Sequence, residues 1–214
     1  MANDWFRKTT WSEADQADFF ARLKCSRGAG NKAQYLRIQA GHLEETHKPE
    51  LIQVAITLLD KMLAEFPEQG ELSCAQKQKA SCLVALGKID EAIASYRDAL
   101  NTERRFPMRR TRAWLEFGRL ICDRKLVDLY DEAWAVLDEL KYETLFAVDI
   151  YELSGIRALI ADHKGNLESA IRFARTAIES AATTHSGFRY HPTVGLVRDK
   201  ETPFNKSVEA LAKN

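Results

Sequence analysis

Residues 86–100 read LGKIDEAIASYRDAL. After the glycine come two acids, Asp90 and Glu91. Ala92, Ile93, Tyr96, Ala99 and Leu100 then follow at intervals of one, three and four, the spacing of one buried helix face. Upstream, Ala80, Cys82, Leu83 and Leu86 mark the buried face of an earlier helix. Gly87 suits the left-handed turn that ends that helix, and Asp90 and Glu91 fall where the free amides of a helix start attract negative charge. A large side chain at the crossing of two helices holds them apart, so the small residues Ala80 and Ala92 allow a close approach. Residues 73–106 therefore read as a helix hairpin.

The pattern returns in three other places. In residues 151–178 the equivalent slots hold Ala158, Gly165, Ala170, Ala174, Ala177 and Ile178. Over 111–140 they hold Trp114, Phe117, Gly118, Ile121, Tyr130, Ala133, Leu137 and Leu140, with a turn three residues longer. Over 34–67 they hold Leu36, Ala40, Leu43, Ala55, Leu59, Met62, Leu63 and Pro67, again with about three extra residues. The anchor alanines 55, 92, 133 and 170 are 37, 41 and 37 residues apart, so the period is loose and the connections vary.

These slots resemble the tetratricopeptide repeat. Ala80, Gly87, Ala92, Tyr96, Ala99 and Leu100 stand where that family has its first small residue, inter-helix glycine, second small residue, aromatic and closing Ala–Leu pair. Gln76 occupies the usual tryptophan slot, and Pro107 is displaced from the usual terminal proline. The resemblance covers roughly residues 32–181. It implies an all-α, right-handed solenoid of about four antiparallel helix hairpins, stacked because one hairpin cannot bury its own apolar stripe. A plain helical bundle is the competing architecture.

The expected organisation is one domain over 1–214, with a capping helix in 1–30, the hairpins in 31–181, and a loop and second capping helix in 182–214. Ser12 and Asp15 form a capping box for a helix with Phe19, Phe20 and Leu23 on one face; Trp5, Phe6 and Trp11 are expected to tuck beneath it, with a partner-binding aromatic cluster as the alternative. At the other end Thr202 caps a helix with Pro203 in its first turn, presenting Phe204, Val208 and Leu211.

Composition narrows the function classes. With 31 basic and 31 acidic side chains, nothing global draws the chain to nucleic acid or membrane. No apolar run reaches the roughly 18 residues needed to span a bilayer, and the N-terminus has no secretory h-region, so a cytoplasmic location is expected. Cys25, Cys74, Cys82 and Cys122 are isolated and read as small hydrophobes of helices. His42 and His47 are five residues apart in HLEETH, whereas a zinc-binding helix needs four, and His185 with His191 lacks partner ligands. No metal, cofactor or catalytic residue is assigned, and the expected function is not enzymatic.

Charge is unevenly spread along the chain. Arg104, Arg105, Arg109, Arg110 and Arg112 crowd into RRFPMRRTR, with Arg119 following, whereas residues 128–152 hold eight carboxylates and one lysine. A solvated turn between repeats is the plain reading of the arginines. The arginine fork also suits an acidic protein surface. In tetratricopeptide proteins the first helices of the hairpins line a concave groove that receives a peptide or helix. The positions used by some members to clamp a terminal carboxylate hold Arg37, Gly41, Gln78, Arg112 and Glu116 here, so the asparagines of that clamp are absent. A broader acidic or amphipathic partner surface is expected instead, with Arg37, Lys77, Arg112 and Arg119 as groove residues and Arg104, Arg105, Arg109 and Arg110 as the adjoining patch. An adaptor or dedicated chaperone is the central expectation. An immunity protein neutralising a toxin, an RNA-binding or enzymatic helical-repeat protein and a self-associating structural module are the alternatives. Nucleic acid is disfavoured as a partner, membrane is excluded, and homo-oligomers stay open.

Overall fold

The computed structural model describes residues 4–141, 144, 146–199 and 201–213. The described residues form α-helices and one short 3-10 turn, Val127–Leu129, with no strand among them. Contacts divide the chain into two compact units, Met1–Ala113 and Trp114–Asn214.

The first unit begins with α1 (Glu13–Cys25), followed by the hairpins α2 (Ala29–Glu44) with α3 (Pro49–Glu65) and α4 (Leu72–Ala85) with α5 (Ile89–Arg105). α3 also packs on α4, so the two hairpins stack. The second unit contains α6 (Ala113–Asp123) from its second residue on, α7 (Tyr130–Leu140), α8 (Ala147–His163), α9 (Leu167–Ala181) and α10 (Pro203–Ala212). Here α8 pairs with α9, and α10 packs across both.

The hairpin crossings are as small as the sequence predicts. Ala40, Ala55, Ala80, Ala92, Ala133, Ala158 and Ala170 are wholly buried. In α6 a glycine does the same work, because a methyl on Gly118 would stand 3.4 Å from Ile156 of α8 and 3.7 Å from Leu137 of α7.

Each hairpin turns through one left-handed residue: His47, Gly87, Lys125 and Gly165, with φ of 55°, 74°, 52° and 74°. At Gly87 two bonds close the helix end, from Gly87 N to Val84 O (3.0 Å) and from Lys88 N to Leu83 O (2.9 Å). Gly165 and Asn166 repeat the arrangement onto Asp162 and Ala161, and Lys125 and Leu126 repeat it onto Cys122 and Ile121. These pairs satisfy carbonyls that the last helical turn leaves open. The sequence reveals the two glycines and hides His47 and Lys125.

Both terminal helices form where expected. The Ser12–Asp15 capping box is present, and Phe19 and Leu23 are buried. Trp5 packs on Phe19 and Tyr35 at 5.3 and 4.9 Å between ring centres, and Trp11 lies 5.4 Å from Phe19. The amide of Gln39 holds this segment on α2, accepting from Lys8 N (3.0 Å) and donating to Lys8 O (2.7 Å). At the other end the Thr202 hydroxyl caps α10, and Phe204, Val208 and Leu211 are buried. The loop after α9 returns to the start of α8, where Val148 N donates to Gly195 O at 2.8 Å.

Phe204 occupies the space that Gly155 leaves on α8: a methyl on Gly155 would stand 2.6 Å from its ring. Gly155→Ala should therefore destabilise the second unit by about 1–3 kcal/mol through overpacking, measurable by chemical denaturation. At the turns, Gly87→Ala should destabilise by about 1–2 kcal/mol, whereas Lys125→Gly should stabilise by up to about 1 kcal/mol as it relieves left-handed strain. Equal effects of opposite substitutions at the two turns would contradict the shared turn geometry.

Candidate binding cleft in the first unit

The first helices of the two stacked hairpins, α2 and α4, approach each other at Gly41. A methyl there would stand 3.3 Å from Nε2 of Gln78, which donates to Arg37 O at 3.4 Å. Beside this approach opens a cleft of about 560 Å³. Arg37, Ile38, Gly41, His42, Glu44 and Glu45 line it from α2 and the residue after it, and Cys74, Lys77 and Gln78 from α4. Arg110, Thr111 and Arg112 complete it from the segment after α5.

That segment is anchored to the hairpins at several points. The Ser73 hydroxyl donates to Arg109 O (2.8 Å), and Arg109 N donates to Phe106 O (2.9 Å). Glu103 near the end of α5 accepts from Thr111 N (2.9 Å) and from the Thr111 hydroxyl (2.5 Å) with one carboxylate oxygen. Its other oxygen is buried without a hydrogen-bond partner. Burial pushes the Glu103 carboxyl above its usual range, against the opposing pull of Thr111 and of the nearby Arg110 and Arg104 charges. The Thr111 hydroxyl in turn accepts from Ala113 N (3.1 Å) at the start of α6. The arginine-rich segment is thus a held element, and Arg110 and Arg112 stand on fixed backbone.

Four cations, Arg37, Lys77, Arg110 and Arg112, share the cleft lining with two carboxylates, Glu44 and Glu45. All four are engaged within the chain, Arg37 with Glu71. His42 Nδ1 lies 3.4 Å from Glu45. The excess in the lining is cationic.

The other candidate arginines lie elsewhere. Arg104, Arg105 and Arg109 are exposed. Arg104 donates to Asn101 at 3.0 Å, and Arg105 lies over the Phe106 ring at 5.3 Å. Arg119 belongs to the second unit, where it pairs with Asp123 (2.9 Å) and stacks 3.8 Å above Phe204. The acidic stretch 128–152 is partly neutralised from within: Asp131 pairs with Lys164, and Asp138 with Lys141 (3.0 Å) and Arg157 (3.3 Å). Counting charges along the chain misses the bases that α8 and its C-terminal turn bring across.

Among the described residues, no three His, Cys, Asp or Glu side chains cluster in a way that could hold a metal. Burial pushes the thiols of Cys82 and Cys122 up, that of Cys122 to about 12, which removes their nucleophilic character at neutral pH. Cys74 is half-buried in the cleft wall, and Cys25 is exposed. No described helix is long and apolar enough to cross a membrane.

Residues 78–105, the greater part of the α4–α5 hairpin, match the tetratricopeptide repeat family. No curated protein matches the chain. The α4–α5 hairpin is therefore a tetratricopeptide-like repeat, which supports a general protein-interaction role.

Glu103 offers a direct test of the anchored segment. Glu103→Ala removes the acceptor for Thr111 and should cost about 1–3 kcal/mol, whereas Glu103→Gln keeps an acceptor and removes the buried charge. A carboxyl whose folded value is raised gives a stability contribution that is present below its unfolded value of about 4.3 and is lost as pH rises through the folded value. The fall in wild-type stability over that window should be smaller in Glu103→Gln, as denaturant titration at several pH values would reveal.

Proposed function

We propose that the chain is a non-catalytic cytoplasmic adaptor or dedicated chaperone whose α2–α4 cleft receives an acidic or amphipathic segment of a partner protein. One observation carries this reading. Arg37, Lys77, Arg110 and Arg112 come from three separate elements and converge on one cleft walled by first helices of hairpins. The same first-helix surface receives ligands in tetratricopeptide proteins.

Chemically, the cations steer and orient the partner, and apolar contacts such as those available at Ile38 supply affinity. Glu44 and Glu45 at one end of the lining disfavour a long uniform anion such as a nucleic-acid backbone. A mixed segment, acidic in one part and apolar or basic in another, fits better.

Affinity capture from the source cell tests the reading when the native protein is run beside Arg37→Glu/Arg112→Glu. The double reversal should weaken retention of a specific protein at least about tenfold, and retention by the native protein should fall with added salt. Arg189→Glu, on an exposed loop of the second unit, serves as the control and should retain the partner. Equal recovery with all three proteins would remove the cleft from the function.

A further inference from the structure

α4 has a second lined face. Away from the cleft, a groove of about 460 Å³ runs between α3, α4 and α5. Leu63 and Leu72 give it an apolar floor above the buried Leu83, and the exposed carboxylates of Asp98 and of Glu91, which lies 3.8 Å from Lys88, stand along the α5 side. Gln76 also lines it, and the side-chain oxygen of Gln76 is buried with no hydrogen-bond partner. Lys79, the basic residue of the lining, is paired with Asp60 at 2.6 Å. The groove therefore asks for a ligand with an apolar tip, flanking positive charge and spare hydrogen-bond donors.

The chain itself presents such a segment. Met108 is 93% exposed, the highest value among the exposed large hydrophobic residues, and the exposed Arg105, at the end of α5, and Arg109 stand on either side of it along the chain. Met108 does not line its own groove, and Ser73 and Glu103 tether the backbone beside it at Arg109 and Thr111. The segment nevertheless stands beside the groove: Arg109 lies over Gly70, 3.7 Å from the position of a methyl there, and Leu72 belongs to the groove floor. A protruding element next to its own complementary recess suits reciprocal exchange about a two-fold axis, since each copy then gives one element and receives one.

We propose that this groove is a self-association surface and that it receives the Arg105–Arg109 turn of a second copy of this chain. Met108 seats on Leu63 and Leu72, and the flanking arginines meet Glu91 and Asp98. The surface is distinct from the α2–α4 cleft and does not depend on the function proposed for it.

Sedimentation equilibrium over a wide range of concentration tests the proposal. The native chain should show a monomer–dimer equilibrium that weakens with salt. Met108→Glu should raise the dissociation constant about tenfold or more. Arg105→Glu/Arg109→Glu and Glu91→Arg/Asp98→Arg should each weaken association comparably, and the chain carrying all four reversals should regain it. Every altered side chain is exposed, and circular dichroism establishes that each variant keeps its helices. A native chain that stays monomeric throughout would overturn the proposal and leave the groove to a basic segment of another protein. Association indifferent to Met108→Glu, or not regained by the fourfold reversal, would also overturn it.

Discussion

Two helices can approach only as closely as the side chains at their crossing permit, and the rest of this structure depends on that limit. Ala80 and Ala92 meet it in the second hairpin, Ala158 and Ala170 in the fourth, and Gly118 with Ala133 in the third. A small crossing residue lets the aromatic and aliphatic side chains around it, such as Tyr96 and Leu83, fill the remaining space at native density. Without it the same apolar stripe would remain half open. The left-handed turns then fix the direction in which each second helix returns.

The cleft follows from this geometry. The stack of α2–α3 on α4–α5 sets the first helices α2 and α4 next to each other, and Gly41 brings them close enough for Gln78 to reach a carbonyl of α2. The segment leaving α5 is then drawn back by Glu103 and Ser73, carrying Arg110 and Arg112 to the cleft wall. A buried carboxylate with one oxygen unsatisfied is an unfavourable arrangement in isolation. Its position here, holding a segment that bears Arg109, Arg110 and Arg112, ties that local cost to the placement of charge.

What the sequence disclosed and what it withheld divide along physical lines. Hairpins were legible because helical periodicity and small crossing residues are local signals. The turns at Gly87 and Gly165 were legible for the same reason, whereas His47 and Lys125 reach the left-handed region only because the surrounding hairpin imposes it. Arg37, Lys77, Arg110 and Arg112 could be named from repeat position and charge density. The anchoring roles of Glu103 and Ser73 could not, since a long-range hydrogen bond leaves no periodic trace. Arg119 shows the converse: its charge looked available along the chain, yet the ring of Phe204 lies against it.

Amide hydrogen exchange, compared between the free chain and its complex with the protein it captures, tests the central claim most directly. Exchange should slow in residues 37–45, 74–78 and 110–112, the three segments that wall the cleft. Unchanged exchange there, with protection confined to the loop after α9 or to α10, would contradict it.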